Sequence, residues 1–255
     1  MRELEGILNQ IVCGDCLEVM PDIPDKSIDM ILCDLPYGTT DCKWDTVIPF
    51  EPLWEQYKRI IKDNGAIVLT ASQPFTSALV MSNIKMFKYE WIWNKNSAGN
   101  VMVAKYQPLK ITENVLVFSK TTPKYNPQLE YGFKDRTNEK PNIQKSDLYS
   151  TIKSNTFFKT NKNKPSGSKY PKNLINISKQ STECCNSKSI HPTQKPVALF
   201  EYLIKTYTNE GDLVLDNCAG SGTTGVACKN LNRNFILIEK EPEYIDIINK
   251  RLSIN

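Results

Sequence analysis

The chain reads Asp216-Asn217-Cys218-Ala219-Gly220-Ser221-Gly222-Thr223-Thr224-Gly225 directly after an apolar run and at the start of a helical stretch. A strand, a glycine turn and a helix in that order form one unit of an open α/β sheet, and the glycines let the backbone approach a ligand closely. Glu239, about 20 residues past the first glycine, completes a G-x-G-x-x-G dinucleotide fingerprint. A nicotinamide-dependent oxidoreductase is therefore one reading. Only 16 residues follow Glu239, however, whereas that fingerprint usually opens a sheet that later strands complete. The remaining strands must come from earlier in the chain, which points to a circularly permuted nucleoside-cofactor fold.

The rest of the sequence supplies those strands. Short apolar runs at 10–13, 28–33, 66–71, 89–93 and 114–118 read as strands, with helical stretches at 52–62 and 75–82 between them. In the first helix Leu53, Tyr57, Ile60 and Ile61 recur at helical spacing. The pattern breaks from 121 to 189 and then resumes as a helix at 197–207, a strand at 212–215, a helix at 223–231, a strand at 235–238 and a helix at 242–252. Alternation of this kind predicts an α/β fold with a mostly parallel, doubly wound sheet.

The interrupting segment is rich in Lys, Asn, Ser, Pro and Thr, with isolated aromatics such as Tyr125, Tyr131, Phe133, Tyr149, Phe157 and Phe158. It is too aromatic for a linker and too irregular for another βα unit, so it reads as an inserted recognition region with loops. Charge is concentrated there: residues 120–188 carry a balance of +9 within a chain of net charge +4, leaving −5 for the remainder. Such asymmetry fits a module facing a polyanion, with a solvated lysine surface as the alternative. Lys159, Lys162 and Lys164 are the cluster singled out for phosphate contact.

The run at 28–33 ends in Asp34-Leu35-Pro36-Tyr37. Open α/β sheets bind ligands beyond the carboxyl ends of their strands, and this tetrapeptide delivers a carboxylate, a carbonyl fixed by proline and an aromatic ring to such an end. Asp34 and the Leu35 carbonyl can accept hydrogen bonds from an exocyclic amine while Tyr37 stacks on the ring. The same residues also make an ordinary strand-ending turn.

Eight cysteines are scattered along the chain, and Met1-Arg2-Glu3-Leu4-Glu5 does not read as a secretory leader. Reduced thiols in a cytoplasmic protein are expected. Cys13, Cys16, Cys184 and Cys185 match zinc spacing poorly, so no metal is predicted. No apolar stretch approaches the roughly 20 residues that span a bilayer.

A Gly-Asp-Cys-Leu segment, Asp-Leu-Pro-Tyr, a basic variable region, His-Pro-Thr-Gln-Lys-Pro and then the glycine loop, in that order, resemble the beta group of DNA amino-methyltransferases, above all the adenine-N6 enzymes. The resemblance runs from about Ile11 to Tyr244. It implies S-adenosylmethionine as cofactor, a seven-stranded doubly wound sheet, and methyl transfer to a base flipped out of double-stranded DNA. It divides the chain into a catalytic half at 1–120, a target-recognition insert at 121–190 and a cofactor-binding half at 191–255. Family roles fall on Asp34, Leu35, Pro36 and Tyr37 for catalysis, on Asp216, Gly220, Gly222 and Thr223 in the cofactor loop, on Glu239 for the ribose and on Asp15 for the adenine amine. Thr193 and Lys195 would line the methionine end. His191 reads as a loop residue, because direct transfer from a sulfonium needs no imidazole, and Trp44 reads equally as core or as a lid. Cytosine-N4 methylation is the alternative within the same chemistry; a homodimer and a cognate restriction nuclease are left open.

Two departures from the family pattern stand out. Leu35 replaces the usual first proline of Asp-Pro-Pro-Tyr, at a position that acts through its carbonyl. Asn217-Cys218 stands where the family usually carries Pro-Phe, removing an aromatic contact beside the cofactor.

Overall fold

A computed structural model describes residues 6–40, 42, 45–133, 165–179 and 194–253. Trp44, Lys159, Lys162, Lys164, Cys184, Cys185, His191 and Thr193 lie outside the described residues. The chain separates into one compact unit formed by Met1–Asn126 with Lys172–Asn255 and a second formed by Pro127–Pro171.

The first unit holds an eight-stranded sheet among the described residues, in the order β1-β8-β7-β2-β3-β5-β4-β6. The strands are β1 (Gln10–Cys13), β2 (Ile28–Cys33), β3 (Ile61–Ala71), β4 (Phe87–Asn94), β5 (Thr112–Phe118), β6 (Leu174–Asn176), β7 (Leu213–Asp216) and β8 (Asn234–Glu239). Among the described strands only β5 runs against its neighbours. The helices are α1 (Cys16–Val19), α2 (Phe50–Ile60), α3 (Phe75–Ser82), α4 (Val197–Tyr207), α5 (Thr223–Asn230) and α6 (Pro242–Ser253).

Period-two alternation sends each central strand to both faces. Ile31 and Cys33 of β2 join a core closed by α1, α2 and α3. Met30 and Leu32 join the opposite core, closed by α4, α5 and α6. Both faces are covered, which is why β2, β7 and β8 are nearly unbroken apolar runs. Helix α2 buries Leu53, Trp54, Tyr57 and Ile60 and carries Glu51 in its first turn and Lys58 and Arg59 in its last, matching its dipole.

The mostly parallel, doubly wound α/β sheet is the expected one, but it has one strand more than the seven anticipated. The addition is β6, which pairs in parallel with β4 and falls inside the stretch read as irregular. Three residues are too few to display a period. Helix α2 ends at Ile60 and β3 begins at Ile61, earlier than the strand predicted at 66–71.

Candidate active site

From β2 the chain winds through α2 to β3 on one side; from β7 it winds through α5 to β8 on the other. β2 and β7 are neighbours, so the winding reverses between them and their carboxyl ends splay apart. Asp34 follows β2 and Asp216 ends β7, facing that crevice. The parallel strands also bring Asp15 (after β1), Ser72 (after β3), Lys95 (after β4) and Glu239 (end of β8) to this edge, and antiparallel β5 adds Glu113 from its start. All line a cavity of about 640 Å³.

Asp34 is held from both sides. Its Oδ1 accepts a short hydrogen bond from the Thr70 hydroxyl and lies 2.8 Å from the Tyr37 hydroxyl, which is itself 3.0 Å from Thr70 Oγ1. Its Oδ2 accepts from Lys195 Nζ at 2.6 Å. One face of the Tyr37 ring stacks on Phe75, with centroids 5.2 Å apart. Burial and the neighbouring Asp34 charge hold the Tyr37 phenol well above its ordinary pKa, so it stays a hydrogen-bond donor. Leu35 is 3% exposed and Pro36 lines the cavity beside it.

Behind Asp34 the charges continue. Lys195 Nζ is 3.5 Å from Glu113 Oε2, and Lys95 Nζ donates to Glu113 Oε1 at 2.9 Å. Two ammonium groups and two carboxylates thus neutralise one another on a partly buried cavity wall, the lysine side chains being 9% and 10% exposed and the Asp34 side chain 23%. Burial alone would lower the Lys195 pKa; Asp34 and Glu113 together raise it, keeping the ammonium charged.

The other end of the cavity is built around the glycine loop. Gly222 adopts φ 79°, and a Cβ there would meet Ile248 at 2.7 Å, so only glycine fits this entry to α5. Glu239 Oε2 accepts from Gly220 N–H at 2.6 Å and Oε1 from Glu241 N–H at 2.9 Å, which aims the carboxylate without using all its lone pairs. Asp15 caps α1 by accepting from Leu17 N–H at 2.9 Å and still lines the cavity. Asp216 accepts from Cys218 N–H at 3.1 Å and from the Thr224 hydroxyl, and burial raises its pKa to about 7. Thr223 Oγ1 donates to the Lys195 carbonyl at 3.3 Å, joining the loop to the lysine.

Sequence comparison places this architecture. A family model described as DNA methylase, of the N6/N4 methyltransferase type, matches residues 28–250. The chain belongs to the DNA amino-methyltransferases. It is 29% identical over 255 residues to the Type II methyltransferase M.HpaI of Haemophilus parainfluenzae, covering 95% of this chain and 74% of that one. It is also 29% identical over 280 residues to the Type II methyltransferase M.HinfI of Haemophilus influenzae, covering 99% and 70%. Among solved structures, the M1.HpyAVI–SAM complex superposes with a TM-score of 0.65 at 30% identity, covering 96% of this chain and 98% of that one. The PvuII cytosine-N4-specific DNA methyltransferase shares the fold, with a TM-score of 0.67 at 19% identity over 95% of this chain and 85% of that one.

S-adenosylmethionine is accordingly the cofactor of this methyltransferase. The residues present suit it: the cavity offers carboxylate acceptors, Asp15 and Glu239, at the glycine-loop end and a second carboxylate centre, Asp34, beyond it. When bound, the cofactor supplies an electrophilic methyl group. Among the described residues no helix is long and apolar enough to cross a membrane, and no group of His, Cys, Asp and Glu has a metal-holding arrangement.

The substitution of Asn217 for the family's proline has a structural counterpart. The Asn217 side chain turns into the core, where its Oδ1 accepts from the Tyr57 hydroxyl of α2 at 2.5 Å. Lys195, anticipated at the methionine end of the cofactor, meets Asp34 and Glu113. Thr70, Lys95 and Glu113 were not anticipated at all. Lys95 and Glu113 each lie just outside the apolar runs at 89–93 and 114–118, and charges abutting apolar runs were the available signal.

Proposed function

We propose that the chain is a site-specific DNA adenine-N6 methyltransferase acting on an adenine flipped out of double-stranded DNA. The observation that carries this reading is the Asp34 carboxylate, oriented by Thr70 and Tyr37 at the switch point between β2 and β7 and sharing one cavity with the cofactor loop. Pairing hides an adenine amine in the duplex, and extruding the base costs a few kcal/mol, offset by DNA contacts and by stacking in the pocket. Asp34 and the Leu35 carbonyl would then accept the two amine hydrogens and turn the nitrogen lone pair toward the methyl donor, with Tyr37 against the ring. The nitrogen would gain the methyl group as the sulfonium gives it up and becomes a neutral thioether, and the proton then lost by the amine would pass to the Asp34 carboxylate that accepts its hydrogen bond. Positioning and electrostatics carry such a reaction, so no nucleophile on the protein is required.

Asp15, Asp216, Gly220, Gly222, Thr223 and Glu239 are proposed to hold the cofactor, and the basic segment 121–190 to recognise the target. The Type II name of both Haemophilus relatives supports a role in modification alongside a nuclease of matching specificity. Sequencing that detects modified bases in DNA from cells expressing the chain tests the proposal in one experiment. N6-methyladenine at a fixed position of one short motif is the expected result; N4-methylcytosine would transfer the same geometry to the other exocyclic amine, and unmodified DNA would overturn the reading.

A further inference from the structure

Building on the assignment of Asp34 to the target amine, we infer that Lys195 is a movable counter-ion and that Glu113 is the positioning residue that receives it when the amine arrives. With Oδ1 engaged by Thr70 and Tyr37, the Asp34 atom open to a new donor is Oδ2, and Lys195 Nζ already sits on it at 2.6 Å. A charge-assisted bond from an ammonium is stronger than one from a neutral amine. The amine therefore gains full use of Asp34 only if the ammonium has another carboxylate within reach.

Glu113 is that carboxylate. Its Oε1 is fixed by Lys95 at 2.9 Å, while Oε2, 3.5 Å from Lys195 Nζ, is buried and has no hydrogen-bond partner among the described residues. A buried acceptor left unsatisfied is costly, so its presence calls for a role. Closing that gap to the roughly 2.8 Å of a charge-assisted bond is a displacement well within the range of a flexible lysine stem. The Lys195 backbone stays anchored meanwhile, because its carbonyl accepts from Thr223 in the first turn of α5. Neither charge leaves the pocket, so the exchange proceeds without solvating or desolvating an ion. Where it stands, Asp34 and Glu113 raise the Lys195 pKa against the effect of burial, so the group that moves is an ammonium.

The test is a double-mutant cycle on methyl transfer, with Glu113→Gln, Lys195→Met and the double variant, measured at saturating DNA and cofactor. Glu113→Gln should lower kcat roughly ten- to a hundredfold, the scale expected when a group near the chemistry is misplaced by an ångström, with cofactor and DNA affinities nearly unchanged. Glu113→Asp should recover part of the loss. In the Lys195→Met background, Glu113→Gln should cost little more, since no ammonium remains to be received. Normal turnover in Glu113→Gln, losses that multiply in the double variant, or loss of cofactor binding in Glu113→Gln would each overturn the inference. Asp34→Ala separates the two levels: if it retains turnover, the assignment of Asp34 fails and the exchange with it; if it is inactive while Glu113→Gln is normal, only the exchange fails.

Discussion

Asp34 accepts from Thr70 and Tyr37 through one oxygen and from Lys195 through the other, so its orientation is over-determined before any substrate arrives. Asp34→Ala should abolish methyl transfer while the cofactor still raises the melting temperature, a separation that thermal denaturation with and without S-adenosylmethionine reads directly. Tyr37 contributes ring and hydroxyl separately. Tyr37→Ala should cost roughly 1–3 kcal/mol of base stacking, seen as weaker binding of flipped-base DNA, whereas Tyr37→Phe should keep the stacking and lower kcat by removing one of the hydrogen bonds that orient Asp34. Equal losses in both would assign the whole effect to the hydroxyl. Asp216 gives a pH signature. Burial raises its folded pKa from 3.8 to about 7, so its contribution to stability is present below the unfolded value and is lost as pH rises through the folded one. Unfolding free energy without cofactor should therefore fall between about pH 4 and 7, by up to about 1.4 kcal/mol per unit from this group. Asp216→Asn should remove that component when denaturant midpoints are compared across the window.

At the scale of elements, β5 decides what the site contains. Because it runs against its neighbours, its first residues stand where the other strands end, and register pairs Glu113 with Trp93, two residues before Lys95. Helix α2 reaches the site through Tyr57, whose hydroxyl holds Asn217 in the loop. Tyr57→Phe would strand a buried amide oxygen at a cost of about 1–3 kcal/mol, and part of this should appear as weaker cofactor binding in calorimetry. Sequence patterns were a good guide to elements: the runs at 10–13 and 28–33 coincide with β1 and β2, and the helix at 75–82 with α3. They were a poor guide to the charges around Asp34. Asp34 and Lys195 are 161 positions apart, and no local period reports such a contact. The pairing of Lys95 with Glu113 depends on the antiparallel direction of β5, which a mostly parallel expectation left unassigned. Asp15, assigned to the cofactor's adenine amine through the resemblance, caps α1 and lines the cavity, and its capping bond is a local feature.

For the whole molecule the charge distribution frames DNA binding. If the +9 balance of residues 120–188 faces phosphate, replacing Lys159, Lys162 and Lys164 by Gln should weaken binding to every sequence and flatten its salt dependence, because fewer counterions are released. Titrations of cognate and scrambled duplexes at several salt concentrations would show this. An unchanged slope would make these lysines solvated surface, and a changed motif would place them against base edges. The sheet order also has a consequence in time. β2 lies between β3 and β7, yet 179 residues separate the end of β2 from the start of β7. During synthesis, which proceeds at about 5–20 residues per second, Asp34 emerges early on a strand with one bare edge, while its neighbour has yet to be made. A product truncated before Asp216 keeps the residues that would grip the base and lacks the wall that would seat the methyl donor, so translation itself would withhold activity until the segment carrying Asp216 and Glu239 has joined the sheet.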